Sequence, residues 1–425
     1  MPSIDEALDF QKKGDFKWVD LHFTSMNGEI NRKTIPARDF GKNSFEQGIE
    51  VEPALAERLG FADSRVLLVP DPDSFARVPW DVNSTLRFIC SLYTAPERER
   101  FVKDPRYCVE RLNMNAKAMG AGEVAIGAEC EFYLVDNVNP DRQGFDQFYT
   151  ARTQIAESLE DYFRYTVSAH GQGRSQNGQQ RIRLGALNAK IAADALVTLK
   201  HTVKSTSLIS NTTSTFMALP TADDRPNGLN IFQKLQKSGE NLFYDAEDKY
   251  AKLSQTALYY IGGILEHAES LALFTASTTN SYKKLRAEPK YAAWGKGASC
   301  LVQIPDFTSE ESRFVAYTAS DPSANPYISY AAIASAGLDG IKSKASLGKA
   351  VDEAISSSSK AKDAKAKPLP QGIMESVSAL ESDSKFLKGI MSSELLADYL
   401  EQKISEHQEN ERRPTTYEME KYFAK

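Results

Sequence analysis

Residues 123–136, EVAIGAECEFYLVD, form the most strongly β-forming segment of the chain, being rich in β-branched and aromatic side chains. Within it Glu129 and Glu131 stand two positions apart. Strand side chains alternate between faces, so both carboxylates lie on one face. A site for two metal ions wants that arrangement. Alternation alone, however, usually produces such a pair on a plain solvated face.

The rest of the chain frames this strand. Residues 18–23, WVDLHF, alternate apolar and polar, and MNGE at 26–29 supplies the Asn-Gly of a tight hairpin turn. Further strands are expected over 65–71 and 84–93. A helix capped by Asp104 follows, with Pro105 in its first turn. A domain boundary near residues 100–104 divides a small unit, 1–103, from a large one, 104–425. In the large unit we expect a helix over 188–210, a strand over 214–220, and one long helix over 254–275 starting at Ser254. A helix rich in small residues should span 325–344, and charged helices 372–423. Residues 356–367, SSSSKAKDAKAK, read as an exposed low-complexity loop. There is no internal repeat, and the strands do not alternate with helices, so the fold class is antiparallel α+β.

Charge and composition exclude several classes. Among 425 residues, 51 are Lys or Arg and 57 are Asp or Glu, a net −6, which argues against nucleic acid as a partner. No apolar run approaches the length needed to cross a bilayer, and the N-terminus is polar, so a cytoplasmic protein without a membrane partner is expected. The four cysteines are scattered with no C-x-x-C pair, as expected of reduced, buried thiols. None of the five histidines has metal-ligand spacing, and no G-x-S-x-G, phosphate loop or dinucleotide fingerprint is present.

Several stretches resemble one family, the glutamine synthetases: residues 253–285 with their long helix and following loop, 239–245, 321–344, the closing YEMEKYF, and, nearer the N-terminus, 66–80 and 103–112. The resemblance implies a small β-grasp domain, then a large domain whose antiparallel sheet forms a half-barrel. It also implies a homo-oligomer, a hexameric ring or a double-ring dodecamer, with each active site shared between neighbours. The chemistry it implies is phosphorylation of glutamate by ATP, then displacement of phosphate by ammonia. Divalent Mg²⁺ or Mn²⁺ and arginines neutralise the moving charge.

Matched residue by residue, the site departs from that pattern. GAECEF matches the family's G-x-E-x-E-F strand, placing Glu129 and Glu131 on its two metal-binding glutamates. Gly178 and Gln179 match a Gly-Gln pair, and the two flanking glutamates then fall on Arg174 and Arg181. The histidines of the next motif fall on Asn230 and Phe232, and a further metal glutamate on Ala316. Substrate- and phosphate-binding positions fall on Asn280, Lys284, Ala298, Gln303 and Thr318, the flap is shortened to RAEPK at 286–290, and an aspartate of the N-terminal domain falls on Glu52.

Arginine at carboxylate positions turns a −3 pocket into a +1 pocket, which repels a divalent ion. Three readings follow for the arginines. Arg174 and Arg181 fork onto Glu131 and Glu129 as permanent cations in a salt-bridged core. They face water, as most arginines do. Or Arg174, Arg181 and Arg183 bind an anion, phosphate or a dicarboxylate. The expectation drawn is a catalytically inactive member with no cofactor and no metal. Its role would be structural, sensing a nitrogen metabolite, or regulating an active glutamine synthetase paralogue. The alternative is an ATP-dependent glutamate–ammonia or γ-glutamyl–amine ligase with an atypical site, using Mg²⁺ or Mn²⁺.

Overall fold

In the computed structural model the hairpin forms where the Asn-Gly pair lies: β1 (Trp18–Thr24) and β2 (Ile30–Pro36) pair antiparallel. Gly28 sits at φ +80° in the turn, and a Cβ there would lie 3.0 Å from Asn325 Cα, so this tip needs glycine twice over. The structure describes residues 3–58, 65–81, 84–137, 146–287, 289–306, 309–310, 312–353, 361–362 and 364–423.

The first sheet is completed by β3 (Ile49–Glu50), β4 (Val66–Pro70), β5 (Ala76–Arg77) and β6 (Thr85–Thr94), in the order β2-β1-β6-β4-β3 with β5 also on β6. β1 and β6 run parallel; the other pairs are antiparallel. Leu21, Leu68, Phe88 and Leu92 form its core.

The second sheet carries the candidate site. It contains β7 (Glu123–Asp136), β8 (Val167–Gln172), β9 (Gln179–Asn188), β10 (Thr212–Thr215), β11 (Leu229–Lys237) and β12 (Glu240–Asn241). After β13 (Tyr291–Ala292), which pairs apart from it, come β14 (Trp294–Gly295), β15 (Val302–Gln303) and β16 (Val315–Tyr317). The order is β14-β15-β16-β11-β7-β9-β8, with β10 on β7 and β12 on β11, so β7 is central. The helices Pro105–Ala118, Ala189–Ile209, Gln255–Glu266 and Pro326–Ser343 join the strands in one large core. Small residues set the helix spacing: a Cβ on Gly263 would lie 2.2 Å from the Ala336 carbonyl oxygen.

Three local expectations are corrected. The helix expected over 254–275 breaks at His267 into Gln255–Glu266 and Ala268–Thr275. There the imidazole lies between Asp383 at Nδ1 (2.7 Å) and Asp339 at Nε2 (3.2 Å), stacked on Phe386. The strand expected over 214–220 ends at Thr215, where the chain turns and the Thr215 hydroxyl accepts from Met217 N. The loop expected over 356–367 lies partly outside the described residues. Its end pairs instead as β17 (Lys367–Pro368) with β13.

The two units meet through a buried polar knot. The Arg106 guanidinium donates to both carboxylate oxygens of Asp194 (3.0 and 2.7 Å), to Ser91 (2.8 Å) and to Asp71 (2.5 Å). Tyr327 donates to Asp194 (2.6 Å) and Lys190 to Asp71 (2.6 Å). All four cysteines are free and buried.

Candidate active site

Register assembles the site. In antiparallel pairs, directly opposed residues share a face. Glu129 opposes Arg183 of β9 on one side and Asn230 of β11 on the other, and Glu131 opposes Arg181. Phe232 opposes Ala316, which in turn opposes Gln303. The positions picked out by motif matching on these strands therefore lie on one face of the sheet.

Glu129 is buried and paired. Arg183 Nε donates to its Oε2 (3.0 Å) and Nη2 lies 2.8 Å from the same oxygen as an ion pair, with the guanidinium 5.2 Å from the Phe232 ring centre. Glu131 is bound differently: its Oε2 accepts the Gly228 N–H at 2.7 Å. Burial raises its carboxyl above the usual range, an effect only partly offset by that N–H and by the charges of Lys284 and Arg174. Arg181, with Glu129, Ala169, His170 and Arg183, lines a recess of about 180 Å³ beside the pair.

The salt-bridged core expected around Arg174 and Arg181 is thus corrected: the arginine bonded to a glutamate here is Arg183. The reason is geometric. Arg183 stands directly across from Glu129, while Glu131 is already engaged by the backbone of Gly228, just before β11. Arg174 is placed through its main chain. The Gln179 Oε1 accepts from Arg174 N (2.9 Å) and Ser175 N (3.0 Å), and its amide nitrogen donates to Pro226 O and Asn227 Oδ1. Gly178 permits this turn: its φ is +92° and a Cβ would fall 2.1 Å from Leu134 O. The Gly-Gln pair is a structural clamp between the arginine loop and the segment leading into β11.

The remaining positions are spent on backbone. Gln303 donates to Ala298 O (2.7 Å) and Thr318 to Cys300 O (2.9 Å). Asn280 brackets Leu219, accepting from its N–H (2.8 Å) and donating to its carbonyl (3.0 Å). Lys284 is buried beside Glu131 and Asp321 and donates to Ser320 O, and burial lowers its ammonium below the usual lysine range. Glu52 is held by Lys33 within the N-terminal sheet. Sequence reasoning missed Gly228 N as the partner of Glu131. It also put the glutamate pairing on Arg174 and Arg181 rather than Arg183. The antiparallel register of β7 with β9 was the signal that would have found Arg183.

A small sheet domain followed by a large one whose sheet face carries carboxylates and arginines defines a two-part α+β class, and comparison with known proteins specifies it. The glutamine synthetase β-grasp domain matches residues 15–95 and the glutamine synthetase catalytic domain matches 102–422. The chain belongs to the glutamine synthetase family. It is 32% identical to a glutamine synthetase of Sulfolobus acidocaldarius, with 98% of each chain covered. The solved structure named GmaS/ADP complex-Conformation 1 matches with a TM-score of 0.87 at 26% identity, covering all of both chains. A Plasmodium falciparum glutamine synthetase structure matches at 0.89 and 21% identity over 99% of each chain, a likeness of fold. The architecture is α+β: a β-grasp domain followed by the family's catalytic domain with its half-barrel sheet.

Membership corrects two expectations. An inactive protein was inferred from missing ligands, but the relatives matched over essentially the whole chain are named as enzymes. Physically, Glu129 and Glu131 are retained on one face, and among the described residues no arginine is bonded to Glu131. The expectation of no cofactor falls with it, because the family works with ATP and divalent metals. The donor set nevertheless differs from the family's. Among the described residues no cluster of three His, Cys, Asp or Glu side chains is placed to hold a metal ion, and Glu129 is taken by Arg183.

Proposed function

We propose that this protein is an ATP-dependent ligase that joins the γ-carboxylate of glutamate to ammonia or to an amine. The observation that carries this reading is the full-length likeness to glutamine synthetases, combined with a Glu129–Glu131 face whose second carboxylate is bonded, among the described residues, to a backbone N–H and to no side chain. Arg181, Arg183 and Arg174 supply fixed positive charge beside it, suited to a phosphate or carboxylate oxygen of the substrates. In this reading the protein acts in the cytoplasm as a homo-oligomeric ring of six or twelve subunits. Its N-terminal domain ends near residue 103.

The test is inorganic phosphate release from ATP in buffer containing Mg²⁺ and Mn²⁺, with glutamate and, in turn, ammonium and a panel of primary amines. We expect release that requires both glutamate and one nitrogen donor. Release that is absent, or indifferent to glutamate, with every donor would overturn the reading.

A further inference from the structure

A second cavity, of about 1600 Å³, opens between the β1–β2 hairpin tip, the helix Ala189–Ile209, the segment after β10 and the helix Ser393–Arg412. Met26, Ile30, Val197, Phe216 and Met217 give it apolar wall, and Lys200 projects into it. The Lys200 ammonium makes no hydrogen bond or ion pair with the described residues; its contact is the Phe216 ring, 5.9 Å away. It lies within electrostatic range of Cys130, whose side chain alternates to the opposite face of β7 from Glu129 and Glu131. The cavity therefore backs onto the strand that carries the candidate site.

We propose that Lys200 is a site of Nε-acylation, taking its acyl group from an acyl phosphate or an acyl thioester admitted to this cavity. The apolar wall would accept the acyl chain, and a lysine free of ion pairs can turn its nitrogen to the carbonyl. In the step the Nζ lone pair attacks the acyl carbon and the bond to phosphate or thiolate breaks. The leaving group departs with its electron pair and the amine proton passes to water. The product is a neutral amide behind β7.

Electrostatics supports the geometry. Burial, joined by the like charge of Lys204 one turn along the helix, pushes the Lys200 ammonium down to about 8, against the opposing influence of Cys130, Asp321 and Glu29. At pH 7.5 about a quarter of such amines are uncharged, against about one in a thousand for an ordinary lysine. Allowing for the weaker nucleophilicity of a less basic nitrogen, the net advantage is about tenfold.

The experiment is a time course of the intact protein with acetyl phosphate in one arm and acetyl-coenzyme A in the other, read by peptide mass spectrometry across pH 6.5–10. The exposed Lys249 and Lys283, which do not line the cavity, serve as internal references. We expect Lys200 to be acetylated about tenfold faster than the references at pH 7.5, with its rate levelling off above pH 8. The arm that labels identifies the donor class. Labelling of Lys200 no faster than the references in both arms would overturn the proposal. Lys200→Arg should remove that one acetylated peptide and leave the others.

Discussion

Arg106 and Arg183 each meet carboxylates across the large domain, in opposite settings. The Arg106 side chain is 3% exposed and is bonded to Asp71, Asp194 and Ser91, all within one closed knot. Arg183 is 43% exposed, pairs with Glu129 alone among the described carboxylates, and stands beside Glu131, to which no described arginine is bonded. Titration separates them too. Burial pushes the Asp71 carboxyl up, yet the charges of Arg106 and Lys190 override it and hold the group well below the usual range. At Glu131 burial wins and the carboxyl rises. A buried ion cluster that is fully paired holds domains together. One left incompletely paired keeps charge available for a ligand.

The largest effect should come from breaking the closed cluster. Arg106→Leu strands Asp194 without its cation and leaves Asp71 to Lys190 alone, at a cost of about 3–5 kcal/mol, read as a fall in the denaturant midpoint. The sign with pH follows from Asp71. Its folded value is depressed, so its contribution is present above the unfolded value near about 4 and is lost as the pH falls through the folded one. The penalty should therefore shrink in acid. A loss below about 1 kcal/mol at pH 7 would erase the contrast between the two regions.

Glu131→Gln should act in the opposite direction. A carboxyl raised in the folded state contributes stability below its unfolded value and loses it as the pH rises through the folded value. The amide cannot ionise and can still accept from Gly228 N. The variant should be more stable than the parent at pH 8, by about 1 kcal/mol, with the difference vanishing near pH 4. Thermal melts at the two pH values measure it. Glutamate-dependent phosphate release should fall sharply in the same variant. A variant less stable at pH 8 would mean that Glu131 is as well compensated as Asp71.

Much of this was legible in sequence. The Asn27–Gly28 turn, the Asp104 cap and the boundaries of β7 follow from local chemistry, because a turn residue or a cap acts on its immediate neighbours. The long helix over 254–275 did not survive, since its break at His267 is set by Asp339 and Asp383, far along the chain. The site shows the same division. Motif matching found Glu129 and Glu131 and put Gly178 and Gln179 in register, but it treated the Gly-Gln pair as a marker. Its clamp on residues 226–227 emerges only in three dimensions. The pairing of Glu129 with Arg183 depends on β7–β9 register, which periodicity cannot supply.

That pairing gives the smallest and most discriminating effect. The Arg183–Glu129 bridge engages one carboxylate oxygen and its arginine is 43% exposed, so its worth after screening is about 0–1 kcal/mol. Arg183→Met keeps the side chain's bulk over Phe232 and removes its charge. The melting temperature should move little, while the KM for glutamate or ATP rises if the guanidinium meets a substrate anion. A large loss of stability with unchanged KM would make Arg183 a second Arg106, a structural ion locked onto its carboxylate. Arg181→Met separates the cases further. Among the described residues Arg181 has no carboxylate bonded to it, and it lines the recess beside the pair, so any effect it has on KM reports on ligand charge, with no broken bridge to confuse it.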